Sequence, residues 1–488
     1  MKFICISILA ILTTIIFPTD AQAAQADTLW IKTYGGPMAQ EGISLRQCAD
    51  GGYILAGNAD LGGSYAFYYM ARTDSTGDLC WDSIYEGEYY LAAAAAEETS
   101  DGGFLLTGSE GDLPVAFIYT VRTDQYGDPI WSRRHWGSSI AYTNCSSMIR
   151  TSDGYFAMAG DHGGSYGCEA YFLVIDDDGT TIMETYPGES AMNCYTYQNC
   201  VSETSDGFIT GGRSNYWQPG AVALKLDESG EDQWYGLPDS TGSADVYNSV
   251  LEMPDGSFIA SGYHRDQNDN YDFFLSRFDC EGDLIFEECF GLPDHDELAR
   301  DMILTADGGI LMAGIRYQYG YYSTDIYLVK LDAAGEFQWD CLMGGPGYDH
   351  AAEIMELEED TYLMTGTTNT DADGWDVLLI KFMVTDEGVE QEDSPLTEYP
   401  EITSCMPNPC RGSLLVEYIA PANDRLELLI YDCSGRLVRR MVRTESQPQG
   451  SFAWDGCDDS GARLPAGSYT IMLEGLTGRD FMRTVLFR

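Results

Sequence analysis

Three stretches near the N-terminus decide the fold: W-I-K-T-Y-G-G (30–36), S-L-R-Q-C-A-D-G-G-Y-I-L-A-G (44–57) and A-F-Y-Y-M-A-R-T-D-S-T-G-D-L-C-W (66–81). The last residue, Trp81, opens a second copy of the series. Equivalent openings are read at Trp30, Trp81, Trp131, Ile182, Trp234, Ile285 and Trp339, in steps of 51, 50, 51, 52, 51 and 54 residues. Six of the seven copies carry an Asp-Gly followed by an apolar run ending in Gly, as in Asp50-Gly51 to Gly57 and Asp101-Gly102 to Gly108. Asp-Gly supplies the positive φ of a tight hairpin turn. The seventh copy has Glu359-Asp360 in its place but keeps Gly366. An apolar strand with a basic residue follows: Arg72, Arg122, Lys225, Arg277, Lys330 and Lys381, with Asp176 breaking the rule in the third copy. A D-x-x-G turn such as Asp74/Gly77 then leads to the next tryptophan.

Each copy therefore reads as four short strands, a to d, joined by turns. A lone four-stranded sheet cannot cover both of its faces, so such units stack on their neighbours. Seven of them make an all-β, seven-bladed β-propeller over residues 24–382. Within the repeat region, no tryptophan-bearing strand follows the last strand c, which ends near residue 382. Residues 28–34 are expected to complete the seventh blade by pairing with the 376–382 segment, which removes a sheet edge. A buried basic residue on strand c needs a carboxylate partner, and the Asp-Gly or D-x-x-G aspartates are the candidates.

These repeats resemble those of secreted bacterial propellers, W-x-K-T-x-G-G, D-G-G-Y-I-x-A-G and L-I-K-x-D-x-x-G. They are more distantly similar to pyrroloquinoline-quinone-type propeller repeats. The resemblance covers residues 28–382 and implies a fold more than an activity.

The chain opens with Lys2, an apolar run from Phe3 to Phe17, and Ala21-Gln22-Ala23. Residues 1–23 are read as a cleaved signal peptide. No later stretch is long and apolar enough to span a bilayer, which needs about 20 residues. The expected location is outside the cell or on its outer surface. The formal net charge is −52, from 26 Lys+Arg and 78 Asp+Glu. That charge argues against nucleic acid or anionic membrane as a partner. Of 14 cysteines, one, Cys5, leaves with the signal peptide, so at least one of the rest is unpaired within the chain. Cys405/Cys410, Cys194/Cys200 and Cys280/Cys289 lie close in sequence.

Residues 383–399 are acidic and read as a linker. Beyond it come Asn408-Pro409, L-E-L-L-I-Y-D-C-S-G-R-L-V (426–438), W-D-G-C-D-D-S-G-A-R-L-P-A-G-S-Y (454–469) and R-T-V-L-F-R (483–488). Residues 400–488 resemble the C-terminal sorting domain of type IX secretion cargo and the Ig-like domain of flagellar hook-capping proteins. Cys410 stands where the former often has Phe. The resemblance implies a small Ig-like β-sandwich that engages outer-membrane secretion machinery. A plain Ig-like spacer is the alternative.

The a–b and c–d turns are short and uniform, whereas the b–c and d–a loops differ from copy to copy. Variable loops on a rigid frame are where binding resides. Tyr166, Tyr216, Trp217, Tyr319, Tyr321 and His264 are the expected ligand contacts on that face, suited to a glycan or a protein surface. Ordinary packing between blades is the competing reading. Tyr65, Tyr317, Tyr322, His162, His295 and His350 share the face. Asn369, Asp371, Asp373 and Asp376 are spaced to hold Ca²⁺, as is the weaker set Asp266, Asn268, Asn270 and Asp272. Neither set has the twelfth-position Glu of an EF-hand, and the aspartates opening strand c serve equally well as strand caps. No G-x-S-x-G, H-E-x-x-H or phosphate loop is present. A noncatalytic binding or adhesion propeller is the expectation. A glycoside hydrolase or lyase with paired acids on the same face is the alternative.

Overall fold

The computed structural model describes residues 25–486 apart from 37–38, 61–65, 113–114, 138–141, 165–166, 188–195, 215–219, 239–244, 267–269, 292–294, 319–323, 345–346, 370–373, 386–399, 407–413, 421–424, 432–435, 444–448, 466 and 476–478. The chain divides into two compact units, Met1–Asp386 and Glu387–Arg488. Every named element among the described residues is a β-strand, and no helix is long and apolar enough to cross a membrane.

The first compact unit is built from repeated four-stranded antiparallel sheets. In the first repeat, strands a to d are Ala39–Gln47, Tyr53–Asp60, Ala66–Thr73 and Leu79–Tyr85, paired in that order. The last repeat takes its first three strands from Tyr348–Glu358, Thr361–Asn369 and Asp376–Thr385. Its fourth is Gln25–Tyr34, antiparallel to Asp376–Thr385, with Thr28 opposite Phe382 and Tyr34 opposite Val377. The sixth and seventh repeats are joined by a single parallel bridge, Thr324 to Tyr348.

Both faces of each inner strand are covered, so strand c reads as a nearly continuous apolar run whose alternate residues serve different neighbours. In A-F-Y-Y-M-A-R-T, Tyr68 and Met70 pack with Leu106 and Val121 of the second repeat. Tyr69 and Ala71 pack with Leu363, Val377 and Leu379 of the seventh. Fully burying such a side chain contributes roughly 1.5–3 kcal/mol, so the contact between first and last repeats is of the same kind as any other.

The D-x-x-G turn glycines have a second role besides their φ of +73° to +90°. Trp30 of strand d lies against Gly77 of the first repeat, where a Cβ would sit 2.7 Å from the ring. Trp81 lies likewise on Gly127, Trp131 on Gly179 and Trp234 on Gly282. Tyr34 Oη donates to Gly77 O at 2.5 Å, as Tyr85 Oη does to Gly127 O at 2.8 Å. The register corrects the repeat boundaries at two places. Met183 and Phe286, facing Val174 and Arg277, occupy the tryptophan position and cover Gly230 and Gly335. Ile182 and Ile285 are the extra residues of a bulge one place earlier.

Five of the six basic residues of strand c pair with the Asp-Gly aspartates. Lys225 meets Asp206 at 2.6 Å, Arg277 meets Asp255 at 2.7 Å and Lys330 meets Asp307 at 2.9 Å; Arg72–Asp50 and Arg122–Asp101 match them. Burial opposes ionisation of Asp307, but the Thr305 hydroxyl and Lys330 hold it down to about 2. In the third repeat Val174, not Asp176, fills the basic position. Asp176 is the D-x-x-G aspartate, accepting from Asp178 N and Thr180 N. In the seventh repeat Asp360 takes the turn glycine's place at φ 59°, a conformation Asp tolerates better than most residues.

The second compact unit holds a three-stranded sheet, Glu401–Met406, Leu414–Ile419 and Gln449–Trp454. A four-stranded sheet pairs Leu437–Arg443, Leu426–Tyr431, Gly467–Glu474 and Arg479–Leu486 in that order. Leu426, Leu428 and Ile430 point inward with Val416, Phe452, Trp454 and Ile471, while Glu427 faces out to Arg425 and Arg440.

Candidate functional site

The glycine that ends each Asp-Gly run shapes the centre of the first compact unit. A Cβ on Gly57 would lie 1.8 Å from the carbonyl oxygen of Glu41, and one on Gly160 1.9 Å from that of Asn144. Opposite this glycine, strand a carries one extra residue and breaks register. The extra residues are Ile43, Ala94, Ser146, Asn199, Asn248, Arg300 and Ala352. All line one cavity of about 880 Å³, bordered by the first strand of every repeat. Bulge amides tie neighbours together: Asn199 Nδ2 donates to Asn248 Oδ1 at 3.0 Å, and Asn248 Nδ2 to Ala299 O at 2.8 Å.

Five acidic residues line this cavity, Glu41, Glu97, Glu203, Asp301 and Glu353, and Arg46 holds two of them. The guanidinium of Arg46 joins Glu97 of the second repeat, at 2.6 Å from Nε, to Glu353 of the seventh. Glu353 also accepts from Leu45 N at 2.6 Å. Asp301 accepts from Ile354 N at 3.0 Å and Ser249 Oγ at 3.1 Å. Burial, then the charge of Glu353, pushes Asp301 up to about 7. Burial also raises Glu97 against the pull of Arg46.

A raised carboxyl favours the folded state while it holds its proton. That contribution is full below the ordinary Asp value of 3.8 and is lost as pH rises through about 7. The melting temperature of Asp301→Asn, relative to wild type, is therefore expected to rise between pH 5 and pH 8. A difference that stays flat across that range contradicts the assignment.

Of the residues expected to bind ligand, Tyr166, Tyr216, Trp217, Tyr319 and Tyr321 lie outside the described residues, as do Tyr65 and Tyr322. His264 lies within strand Phe258–Arg265, with Nδ1 3.0 Å from Asp245 Oδ1 and its ring against Phe274. His162 is buried, its Nδ1 2.8 Å from Thr143 Oγ1. Asn369 ends one strand and Asp376 opens the next, while Asp371 and Asp373 lie outside the described residues. In the second loop, Asp266 accepts from Asn270 N at 2.8 Å, and burial with the charge of Asp266 raises Asp272 to about 6. Cys200, Cys280 and Cys289 are free, as are five other described cysteines.

Tyr317 and His350 stand on strands beside residues the sequence reading passed over, Arg300, Tyr348 and Trp375. The His350 ring centroid is 5.6 Å from Trp375, 6.3 Å from Tyr317 and 6.5 Å from Tyr348. Tyr348 and Trp375 are 5.3 Å apart. Gln40 N donates to Trp375 O at 2.6 Å, fixing its backbone to the first repeat.

No curated protein matches the chain. Among solved structures the chain is similar to PorZ of Porphyromonas gingivalis, an essential bacterial surface component of the type-IX secretion system. Identity there is 11% and the TM-score 0.40, covering 91% of this chain and 59% of that one. A fungal alcohol oxidase of the AA5 family, in complex with copper, is 12% identical with a TM-score of 0.46, covering 95% of this chain and 100% of that one. The polysaccharide lyase Uly1 is 11% identical with a TM-score of 0.44, covering 72% and 92%. In the second compact unit, residues 412–479 match the FlgD Ig-like domain.

Proposed function

We propose that this chain is an exported bacterial protein whose repeats close into a seven-bladed propeller that binds a glycan or a protein without transforming it. The pairing of Gln25–Tyr34 with Asp376–Thr385 and the apolar cluster shared by the first and last repeats support closure. The Lys2 to Ala23 segment supports export. The FlgD Ig-like match supports reading residues 400–488 as a sorting and attachment domain that meets outer-membrane secretion machinery.

The cavity bordered by every repeat carries the binding reading. Its Glu97, Asp301 and Glu353 are each engaged in bonds to a neighbouring repeat. These acids fasten strands together, which leaves ligand contact to the bulge residues and the loop face. Asp301 favours a second reading, since a carboxyl titrating near neutrality beside Glu353 suits a general acid in a glycoside hydrolase or lyase.

A glycan array on residues 24–488, followed by product analysis, separates the two. Binding kept by Asp301→Asn with no product from wild type is the expected result. Product released by wild type and lost in Asp301→Asn overturns it. Calcium in the Asn369 to Asp376 loop belongs to the same proposal. With a Kd on the order of 10⁻⁴ M, 1 mM Ca²⁺ adds about 1.4 kcal/mol and raises the melting temperature by roughly 2–4 °C. The gain is expected to vanish in the Asp371→Asn/Asp373→Asn double variant. An unchanged melting temperature with calcium or chelator removes the metal from the reading.

A further inference from the structure

Among the seven bulge residues only Arg300 is charged, and it is exposed to the cavity. It has no ion-pair partner among the described residues. In a chain with 78 acids to 26 basic residues, an arginine left without a carboxylate calls for a physical reason. The cavity is also lined by Arg46, which is committed to Glu97 and Glu353, and by Arg150 of the third repeat.

The surroundings of Arg300 supply one. Its charge reaches His350, whose pKa is lowered by burial first and by Arg300 second, which favours the neutral ring. His350 Nε2 is buried without a hydrogen-bond partner. Trp375 borders the same cavity, half-buried, with Tyr348 behind it. One edge of the cavity thus offers a flat aromatic face, with the His350 ring packed beside it, and a guanidinium without an ion-pair partner.

We infer that Arg300, His350 and Trp375, backed by Tyr317 and Tyr348, form a saccharide site that takes a sugar bearing an anionic substituent. The C–H face of a pyranose ring lies on Trp375, which gives apolar contact with fixed geometry. The carboxylate or sulfate meets Arg300, whose planar fork matches such groups in bidentate fashion. The net charge of −52 does not forbid an anionic ligand. At physiological salt the Debye length is about 8 Å, so distant surface carboxylates are screened while a contact with Arg300 is not. Of the nearest acids, Asp301 is held by Ser249 and Ile354 N, and Asp349 by the Thr368 hydroxyl at 2.6 Å.

The inference rests on the binding reading and deepens it. Titration calorimetry of the mature protein against an oligouronate, a sulfated oligosaccharide and a neutral oligosaccharide of equal length tests it. At least one charged ligand is expected to bind tenfold or more tightly than the neutral one, and which of the two does so identifies the anionic group. Trp375→Ala and Arg300→Gln are each expected to weaken that binding at least tenfold with melting temperatures near wild type. Trp375→Phe is expected to restore part of it. Equal affinity for the neutral ligand overturns the anionic assignment. Wild-type affinity in both variants overturns the site but leaves the binding reading standing. A wild-type protein that binds none of the three removes the saccharide reading itself.

Discussion

Deleting residues 25–34 is expected to leave the first compact unit unable to fold cooperatively at 37 °C. The segment supplies the fourth strand of the last repeat. It contributes Tyr34, buried among Leu363, Val377 and Leu379, and Trp30, which covers Gly77 of the first repeat. Losing the burial of Tyr34 and re-exposing parts of Val377 and Leu379 costs about 1.5–3 kcal/mol for each fully exposed side chain. The sum is on the order of the whole stability of a typical domain, about 5–15 kcal/mol. The deletion also opens the edge of Asp376–Thr385, a long strand left with unpaired backbone groups and prone to pair with another chain. The truncated protein should therefore melt at least 10 °C lower or aggregate, at roughly 2–4 °C per kcal/mol. Since the missing element is an edge strand, a synthetic peptide of residues 25–34 should restore part of the loss in trans, whereas a scrambled peptide should not. A truncated protein with wild-type melting temperature and monomeric behaviour contradicts a fastening role for this strand.

What the sequence made legible was whatever repeats with a fixed local cause. Asp-Gly and D-x-x-G demand a left-handed glycine, and the structure places one at Gly51, Gly77, Gly102 and Gly127. The pairing of strand-c bases with Asp-Gly aspartates was legible because both recur together and a buried cation needs an anion. The two shifted boundaries, at Ile182 and Ile285, arose because an apolar bulge residue stands one place before Met183 and Phe286. An isoleucine there looks like a weakened tryptophan. The candidate site was legible only in part. Tyr317 and His350 were noticed as aromatics near loops, but Arg300 was not, because nothing in a linear pattern marks a bulge on the partner strand. Trp375 was overshadowed by the carboxylates before it. The signal that could have found Arg300 is comparative: at its place the other repeats carry Ile43, Ala94, Ser146, Asn199, Asn248 and Ala352, none of them charged.

The glycine at the end of each Asp-Gly run links that motif to the site. Gly314→Ala is expected to destabilise the protein by about 3 kcal/mol, while Gly308→Ala, six residues earlier in the same motif, costs about 1–2 kcal/mol. Both glycines look alike in sequence, and their physics differs. Gly308 has φ +84° and nothing within 4 Å of an added Cβ, so alanine there meets only the penalty of the left-handed conformation, roughly 1–2 kcal/mol. Gly314 has an ordinary φ, but its added Cβ would sit 2.1 Å from the Leu298 carbonyl oxygen and 2.8 Å from Ala299 Cα. Both are backbone atoms, which no side-chain rotation can clear. Strand a must move, and overpacking of this kind costs about 1–3 kcal/mol or more. The contact lies where strand a bulges to turn Arg300 toward the cavity, so the same substitution should weaken binding of the charged oligosaccharide beyond what lost stability explains. Denaturant unfolding of the two variants, with calorimetric titration at a temperature where both are folded, reads the two effects separately. Equal destabilisation by Gly308→Ala and Gly314→Ala would show that turn conformation alone accounts for the conserved spacing of glycines within the repeats. Full binding by a strongly destabilised Gly314→Ala would uncouple the bulge from the orientation of Arg300.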